Sequence, residues 1–252
     1  MGRTEVTPLE KRLERQVRQA VRDFQLIEGD DHILIGLSGG KDSLALAALL
    51  AHFAHTHKPS PRLSALHVRM KGIPYETDTD FLRTFCHTLG IALHLAEGEM
   101  PPPREGKEKP RCFLCSWTRR KLLFQWAQEL GCNKIALGHH NDDILHTALL
   151  NQMFAGTFST MPALLQMRKF PVCVIRPLCM VSEADLAALA AQHGWPRQKK
   201  TCPYEHDTKR TSARHLLEMM QRENPDVRHS LWHALLKAGK LTEPVREDLP
   251  CC

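Results

Sequence analysis

Three clusters in this 252-residue chain combine residue types and spacings that could do chemistry. The first is Ser38-Gly39-Gly40-Lys41-Asp42-Ser43, between two apolar stretches. Two glycines let a backbone approach a ligand and adopt positive φ without a Cβ clash. N–H groups at a helix start, beside the positive end of its dipole, favour a phosphate. The dipole alone contributes only about 0.3–1 kcal/mol at an exposed site. Nucleotide binding therefore needs several N–H contacts plus the side chains of Ser38, Lys41 and Ser43. The plain alternative is a tight strand-to-helix turn. The loop is not a Walker A, because Ile35 stands at the first glycine position and Asp42 follows the lysine.

The second cluster is Cys112-Phe-Leu-Cys115, at the start of a helix predicted over residues 116–130. A helix N-terminus lowers thiol pKa, and two thiols three apart suit zinc, an iron–sulfur cluster or a redox dithiol. Cys202 is available as a third ligand, and His206 would complete a Cys3His zinc set. Two buried cysteines are the plain alternative. Cys86, Cys132, Cys173 and Cys179 lie in apolar stretches and read as core, and Cys251 and Cys252 have no readable role. The third cluster is His139-His140-Asn141-Asp142-Asp143. Its carboxylates could hold Mg2+ on ATP phosphates or orient a proton, although Asp142 could equally cap a helix. The histidines suit packing or hydrogen bonding equally well. Arg119 lies one helical turn after Cys115, on the same face, where it suits either phosphate contact or solvent.

The elements that must position these groups alternate. Thr7-Pro8-Leu9-Glu10 is a capping box with proline at N1, and Leu9, Leu13, Val17 and Phe24 follow at helical spacing. Strands are predicted over residues 33–37, 63–68, 91–95, 135–138 and 172–175. Helices are predicted over 42–53, 77–89, 116–130, 142–154 and from a second capping box at Ser182 to Gly194. This order predicts an α/β fold: a doubly wound, mostly parallel five-stranded sheet with an N-terminal helix and a small helical C-terminal appendage. The predicted division is a helix over 1–29, a nucleotide-binding domain over 30–196 and a basic, helical region over 197–252. In such a sheet, ligands sit at the carboxyl ends of strands, where the first and third clusters fall.

Composition narrows the function classes. Mixed charge and 42% hydrophobic residues exclude global disorder. The densest apolar run, residues 44–51, is far short of the about 20 residues a bilayer span needs. With no apolar leader in the first residues, the expected compartment is reducing cytoplasm, so nine cysteines do not imply disulfides. The net charge of +6 is modest, but its placement is informative. Residues 104–121 hold seven Lys/Arg against two Glu, and residues 197–214 hold six against Glu205 and Asp207. Both segments flank the candidate cysteine ligands. A basic rim of that kind suits a polyanion, with Trp117, Tyr204 or Trp195 available to stack an extruded base. Core packing is the alternative for each aromatic, most of all Trp195.

The loop 38–43 resembles the PP-loop signature Ser-Gly-Gly-x-Asp-Ser of the ATP pyrophosphatase superfamily. With Cys112-x-x-Cys115, Arg119-Arg120, the stretch from Lys134 to Asp143, and Ile175-Arg-Pro-Leu178, the chain is similar to the TtcA-type tRNA 2-thiocytidine synthetase family over roughly residues 9–214. The resemblance implies ATP and Mg2+ at Ser38, Gly39, Gly40, Lys41, Asp42 and Ser43. It also implies an acidic residue, Asp142 or Asp143, beside the nucleotide, and a basic residue near Arg119. Cys112, Cys115 and Cys202 would hold a [4Fe-4S] cluster with one iron lacking a protein ligand. Many relatives carry a second Cys-x-x-Cys where this chain has Cys202-Pro-Tyr-Glu205, so Cys202 is the one thiol there. The implied reaction adenylates the C2 oxygen of an anticodon-loop cytidine and then transfers sulfur. tRNA and a sulfur donor, a cysteine desulfurase system, are the implied partners, and a homodimer is left open. The alternatives are a PP-loop enzyme with another base or nucleophile, such as lysidine synthetase, and a zinc-stapled RNA-binding protein.

Overall fold

The computed structural model describes residues 6–73, 77–101, 111–167, 170–196 and 208–242. The expected ligand Cys202, with Tyr204, Glu205 and His206, and the pair Cys251 and Cys252 lie outside the described residues. The elements run α1 (Pro8–Asp23), β1 (His32–Gly36), α2 (Lys41–Thr56), β2 (Arg62–Met70), α3 (Thr79–Thr88), β3 (Ala92–Gly98), α4 (Arg111–Glu129), β4 (Lys134–Ala136) and α5 (Asn141–Leu150). A π-helical turn (Asn151–Ala155) follows, then β5 (Leu164–Gln166), β6 (Cys173–Ile175), α6 (Glu183–Gln192), α7 (Thr208–Glu223) and α8 (Val227–Lys237).

The sheet order is β3-β2-β1-β4-β6-β5, parallel except for the β5–β6 pair. β1 lies between β2 and β4, so the chain reverses its direction of strand addition there. That switch point is where open α/β sheets take their ligands. Alternation along β1 sends Ile33, Ile35 and Leu37 into one core with α1, α2 and α6, while Leu34 joins Leu66, Ile135 and Ala127 of α4 in the other. α2 is buried nearly all round because it lies inside the larger core. Leu217 of α7 and Leu235 of α8 are buried in that same core.

Four expectations need correction. The sheet has six strands rather than five. β5 is three residues long, partly exposed and follows Pro162, so it carries no period to read. α4 starts at Arg111, which places Cys112 and Cys115 inside its first turns rather than before it. α5 ends at Leu150 and passes into the π turn, which Gly156 closes at φ +62°. Cys173 is half-buried rather than core, its Sγ donating to Gln166 Oε1 at 2.7 Å across the edge pair.

At the opposite end of β1, Asp31 is 2% exposed and pairs with Lys134 Nζ at 2.7 Å. Its carboxylate also accepts from Asn133 Nδ2 and Glu28 N, both at 2.6 Å, so the charges are paired and hydrogen-bonded. Asp31→Ala leaves the Lys134 ammonium buried without this partner. It should lower stability by about 3–5 kcal/mol in denaturant unfolding. The double variant Asp31→Leu/Lys134→Met should recover most of that loss, and a single-variant loss under about 1 kcal/mol would show the pair behaving as a surface bridge.

Candidate functional site

Between β1 and α2, the loop 38–43 is wound around one hydroxyl. Ser43 Oγ accepts from Ser38 N at 3.1 Å and Gly39 N at 3.2 Å, lies 3.0 Å from Ser38 Oγ, and donates to Gly40 O at 2.9 Å. Gly40 N in turn donates to Ser38 Oγ at 3.2 Å. Gly39 sits at φ +88°, where a side chain would be strained. Gly40 is the N-cap of α2 and offers no side-chain cap, so this helix end can present its amides to an anion.

The loop's position depends on Gly138, just past β4. A Cβ there would lie 3.1 Å from Asp42 C and 3.2 Å from Ser43 N. Glycine therefore lets the β4 end press against the start of α2, bringing the 38–43 and 139–143 segments side by side. Lys41 Nζ reaches Asp42 Oδ1 at 2.9 Å and Glu183 Oε1 at 3.3 Å. Burial opposes its charge, but Asp42 and Glu183 outweigh burial and raise its pKa. Arg214 of α7 holds the other oxygen of Glu183 at 3.2 Å. Sequence reasoning missed Glu183 as a site residue, because it read only as the first residue of a capped helix.

The two carboxylates of the third cluster divide. Asp142 is 5% exposed; its Oδ2 accepts from Glu183 N at 2.8 Å and its Oδ1 from Arg228 of α8. Burial works against its ionisation, yet the Glu183 N–H and the Arg228 guanidinium hold its carboxyl below the ordinary value. This geometry makes Asp142 a clamp between α5, α6 and α8. Asp143 caps His140 N at 3.1 Å, and its side chain is 31% exposed, leaving it the open carboxylate of the two. His140 is the N-cap of α5.

His139 accepts at Nδ1 from Arg176 Nε at 3.3 Å. A guanidinium can only donate, so Nδ1 is unprotonated and Nε2 carries the proton. Burial first, then the Arg176 charge, pushes the His139 pKa down to about 3, keeping the ring neutral. His67, at the carboxyl end of β2, is the opposite case. Its Nδ1 donates to Leu37 O at 2.8 Å, leaving Nε2 as an acceptor. Burial lowers its pKa, with the nearby Arg119 and Arg69 charges adding to that. Arg119 is thus within electrostatic reach of His67, which with Arg69, Thr77 and Thr79 lines a cleft.

The cysteines fall into two kinds. Cys86, Cys132 and Cys179 are buried, and burial raises their thiols to about 11, 11 and 12. Cys112 is exposed and Cys115 half-buried, one turn apart at the helix start. This donor pair fits a thiolate-bound metal or cluster. Among the described residues no third His, Cys, Asp or Glu joins a metal-holding group. Beside them Trp117 is 46% exposed with Lys121 Nζ 5.6 Å from its ring centre. Trp195 packs edge-on against Phe85 and stacks on His193, as a core residue would.

Two outcomes test this geometry. Gly138→Ala forces the Asp42–Ser43 backbone to move and should weaken ATP turnover by on the order of 10–100-fold while far-UV circular dichroism stays unchanged. Wild-type turnover in that variant would show that the close approach does not set the loop. Asp142 stabilises the fold above its ordinary carboxyl value of 3.8, and this contribution disappears only as pH falls through its lower folded value. Arg228→Met removes the guanidinium, so acid unfolding should begin at higher pH than in wild type.

A family model for the PP-loop domain matches residues 9–220. The tRNA-cytidine(32) 2-sulfurtransferase of Pelobacter propionicus is 36% identical over 233 residues, covering 90% of this chain and 86% of that protein. The one from Shewanella pealeana is 34% identical over 238 residues, covering 92% and 75%. Among solved structures, the U34-tRNA thiolase NcsA of Methanococcus maripaludis, seen with its [4Fe-4S] cluster, superimposes with a TM-score of 0.77. It is 26% identical and covers 97% of this chain and 83% of that one. At these identities and coverages, the chain belongs to the tRNA-cytidine(32) 2-sulfurtransferase family of PP-loop proteins.

Proposed function

We propose that this chain is an ATP-dependent tRNA sulfurtransferase that converts the C2 carbonyl of a cytidine in the anticodon loop to a thiocarbonyl. The observation carrying this reading is the pairing of a PP-loop at the sheet's switch point with two accessible thiols at the start of α4. The C2 oxygen attacks the α-phosphate of ATP, pyrophosphate leaves, and sulfur then replaces the adenylated oxygen as AMP departs. Activation is needed because the C2 oxygen alone is a poor leaving group. Residues Ser38, Gly39, Gly40, Lys41, Asp42 and Ser43 hold the pyrophosphate end, with backbone N–H groups and the Lys41 ammonium balancing developing charge. Asp143, open where Asp142 is clamped, receives Mg2+ or orients the substrate. Arg119 faces the α-phosphate side.

Cys112, Cys115 and Cys202 hold the [4Fe-4S] cluster, as the exposed pair's chemistry supports and as the solved thiolase carries one. When bound, the cluster supplies the sulfur-carrying site. The sulfur comes from a cysteine desulfurase system, and the enzyme works in the cytoplasm. Residues 30–196 form the catalytic domain, with 1–29 and 197–252 as its N-terminal helix and basic appendage.

Anaerobic purification should give about four iron and four acid-labile sulfide per chain. A colourless protein with one zinc and no iron would replace the cluster by the Cys3His set that includes His206. Nucleoside analysis of tRNA from a deletion strain should show loss of 2-thiocytidine, and unchanged 2-thiocytidine would refute the substrate. Cys112→Ala, Cys115→Ala and Cys202→Ala should each abolish thiolation and lower iron content while ATP binding persists. Ser43→Ala should lose ATP binding and keep its iron.

A further inference from the structure

Seven large hydrophobic side chains are exposed among the described residues, and three of them fall within six residues. Met153, Phe154 and Phe158 are 47%, 54% and 40% exposed, in and just after the π-helical turn. Such a concentration on a soluble surface marks an interaction site, and π turns are frequent at functional sites. The segment is held firmly. Asn151 Nδ2 donates to Ser159 O at 3.0 Å and Ser159 Oγ at 3.1 Å, and Thr157 N donates to Asn151 O at 3.1 Å. Its far end is pinned to the nucleotide edge. Thr160 Oγ1 donates to Ile144 O in the first turn of α5, and Arg176, which fixes His139, donates to Pro162 O.

Charge says what the surface faces. Lys209 Nζ lies 5.3 Å from the centre of the Phe154 ring. Lys209 opens a stretch of α7 with Arg210 and Arg214 and no carboxylate before Glu218. A face built to meet a second copy of itself would place like ammonium groups together over its most exposed ring. Single-stranded RNA meets both features at once, with a π-face for the ring and a phosphate for the ammonium.

We propose that Met153, Phe154, Phe158 and Lys209 form a preorganised platform on which unpaired bases of an RNA loop stack beside the nucleotide edge. The inference rests on the tRNA reading above and adds where on this chain the loop is held. The platform reads single-strandedness, so its signature is a preference for a hairpin loop over a duplex.

The test is fluorescence anisotropy with an anticodon stem-loop RNA and a duplex RNA of equal length, on the full chain. Wild type should bind the stem-loop more tightly. Phe154→Ala/Phe158→Ala should weaken stem-loop binding by about tenfold and leave duplex binding unchanged. Phe154→Leu keeps an apolar side chain without a π-face and should also lose the preference, which separates stacking from packing. Lys209→Ala should weaken both RNAs and reduce the salt slope by about one. Absence of stem-loop binding by wild type would defeat the tRNA reading itself. Wild-type binding with an unchanged preference in the double variant would defeat only the platform. So would a double variant that turns a dimer into a monomer, by sedimentation, with its RNA preference intact.

Discussion

The contact on which the site depends is backbone against backbone, where the end of β4 meets the start of α2. Gly138 has Asp42 and Ser43 at a distance no side chain fits without displacement. Strand order makes that contact available, since β1 and β4 pair directly, Ile33 to Lys134 through Ile35 to Ala136. Once the two strand ends are neighbours, the loop that follows each opens on the same edge. An anion-binding turn and a turn bearing Asp143 then face one space. A side chain in place of that glycine would make the Asp42–Ser43 backbone give by a few tenths of an ångström, at the point where α2 begins.

Charges then tie the distant C-terminal helices to that edge. Lys41 reaches Glu183, Glu183 reaches Arg214 of α7, and Asp142 joins the Glu183 amide to Arg228 of α8. Exposed ion pairs contribute little on their own, and Arg214 is more than half exposed. The Asp142 end differs because the carboxylate is buried and receives two donors. That end fixes the arrangement, while the Glu183 end is the more exposed of the two. α7 and α8 are thus anchored to the 38–43 loop by the same few side chains.

Much of this was legible in the sequence where the signal is local. The capping box at Thr7 forms as read, with Thr7 N on Glu10 Oε2 and Glu10 N on Thr7 Oγ1. The buried β1 and the all-round apolar α2 announce themselves by composition, and the glycine loop by its punctuation. β5 was not legible, because its three residues are fixed by pairing with β6 rather than by their own pattern. Cys173 misled for a similar reason, since apolar neighbours do not reveal that its partner across the ladder is Gln166 of the short edge strand β5. Asp142 and Asp143 are chemically alike in sequence and differ through partners far along the chain, the Glu183 amide and Arg228, 86 residues away. Glu183 and Arg176 likewise gain their roles from partners that sequence spacing cannot supply.

The histidines show how such partners decide chemistry rather than merely location. His139 and His67 stand at the carboxyl ends of β4 and β2, the strands on either side of β1, and both rings are held neutral by burial. An arginine donor makes one an Nε2–H donor, and a carbonyl acceptor makes the other an Nε2 acceptor. Neither is placed to serve as a general base that must cycle through a charged form near neutral pH, because each would have to ionise against burial and adjacent guanidinium groups. Each can instead hold a fixed hydrogen-bonding sense towards whatever occupies the edge. Proton removal during activation of the substrate oxygen is in any case slight, since a carbonyl oxygen attacks without an O–H to lose. The edge is therefore organised for positioning and charge balance, which is the demand that phosphoryl chemistry makes of a protein.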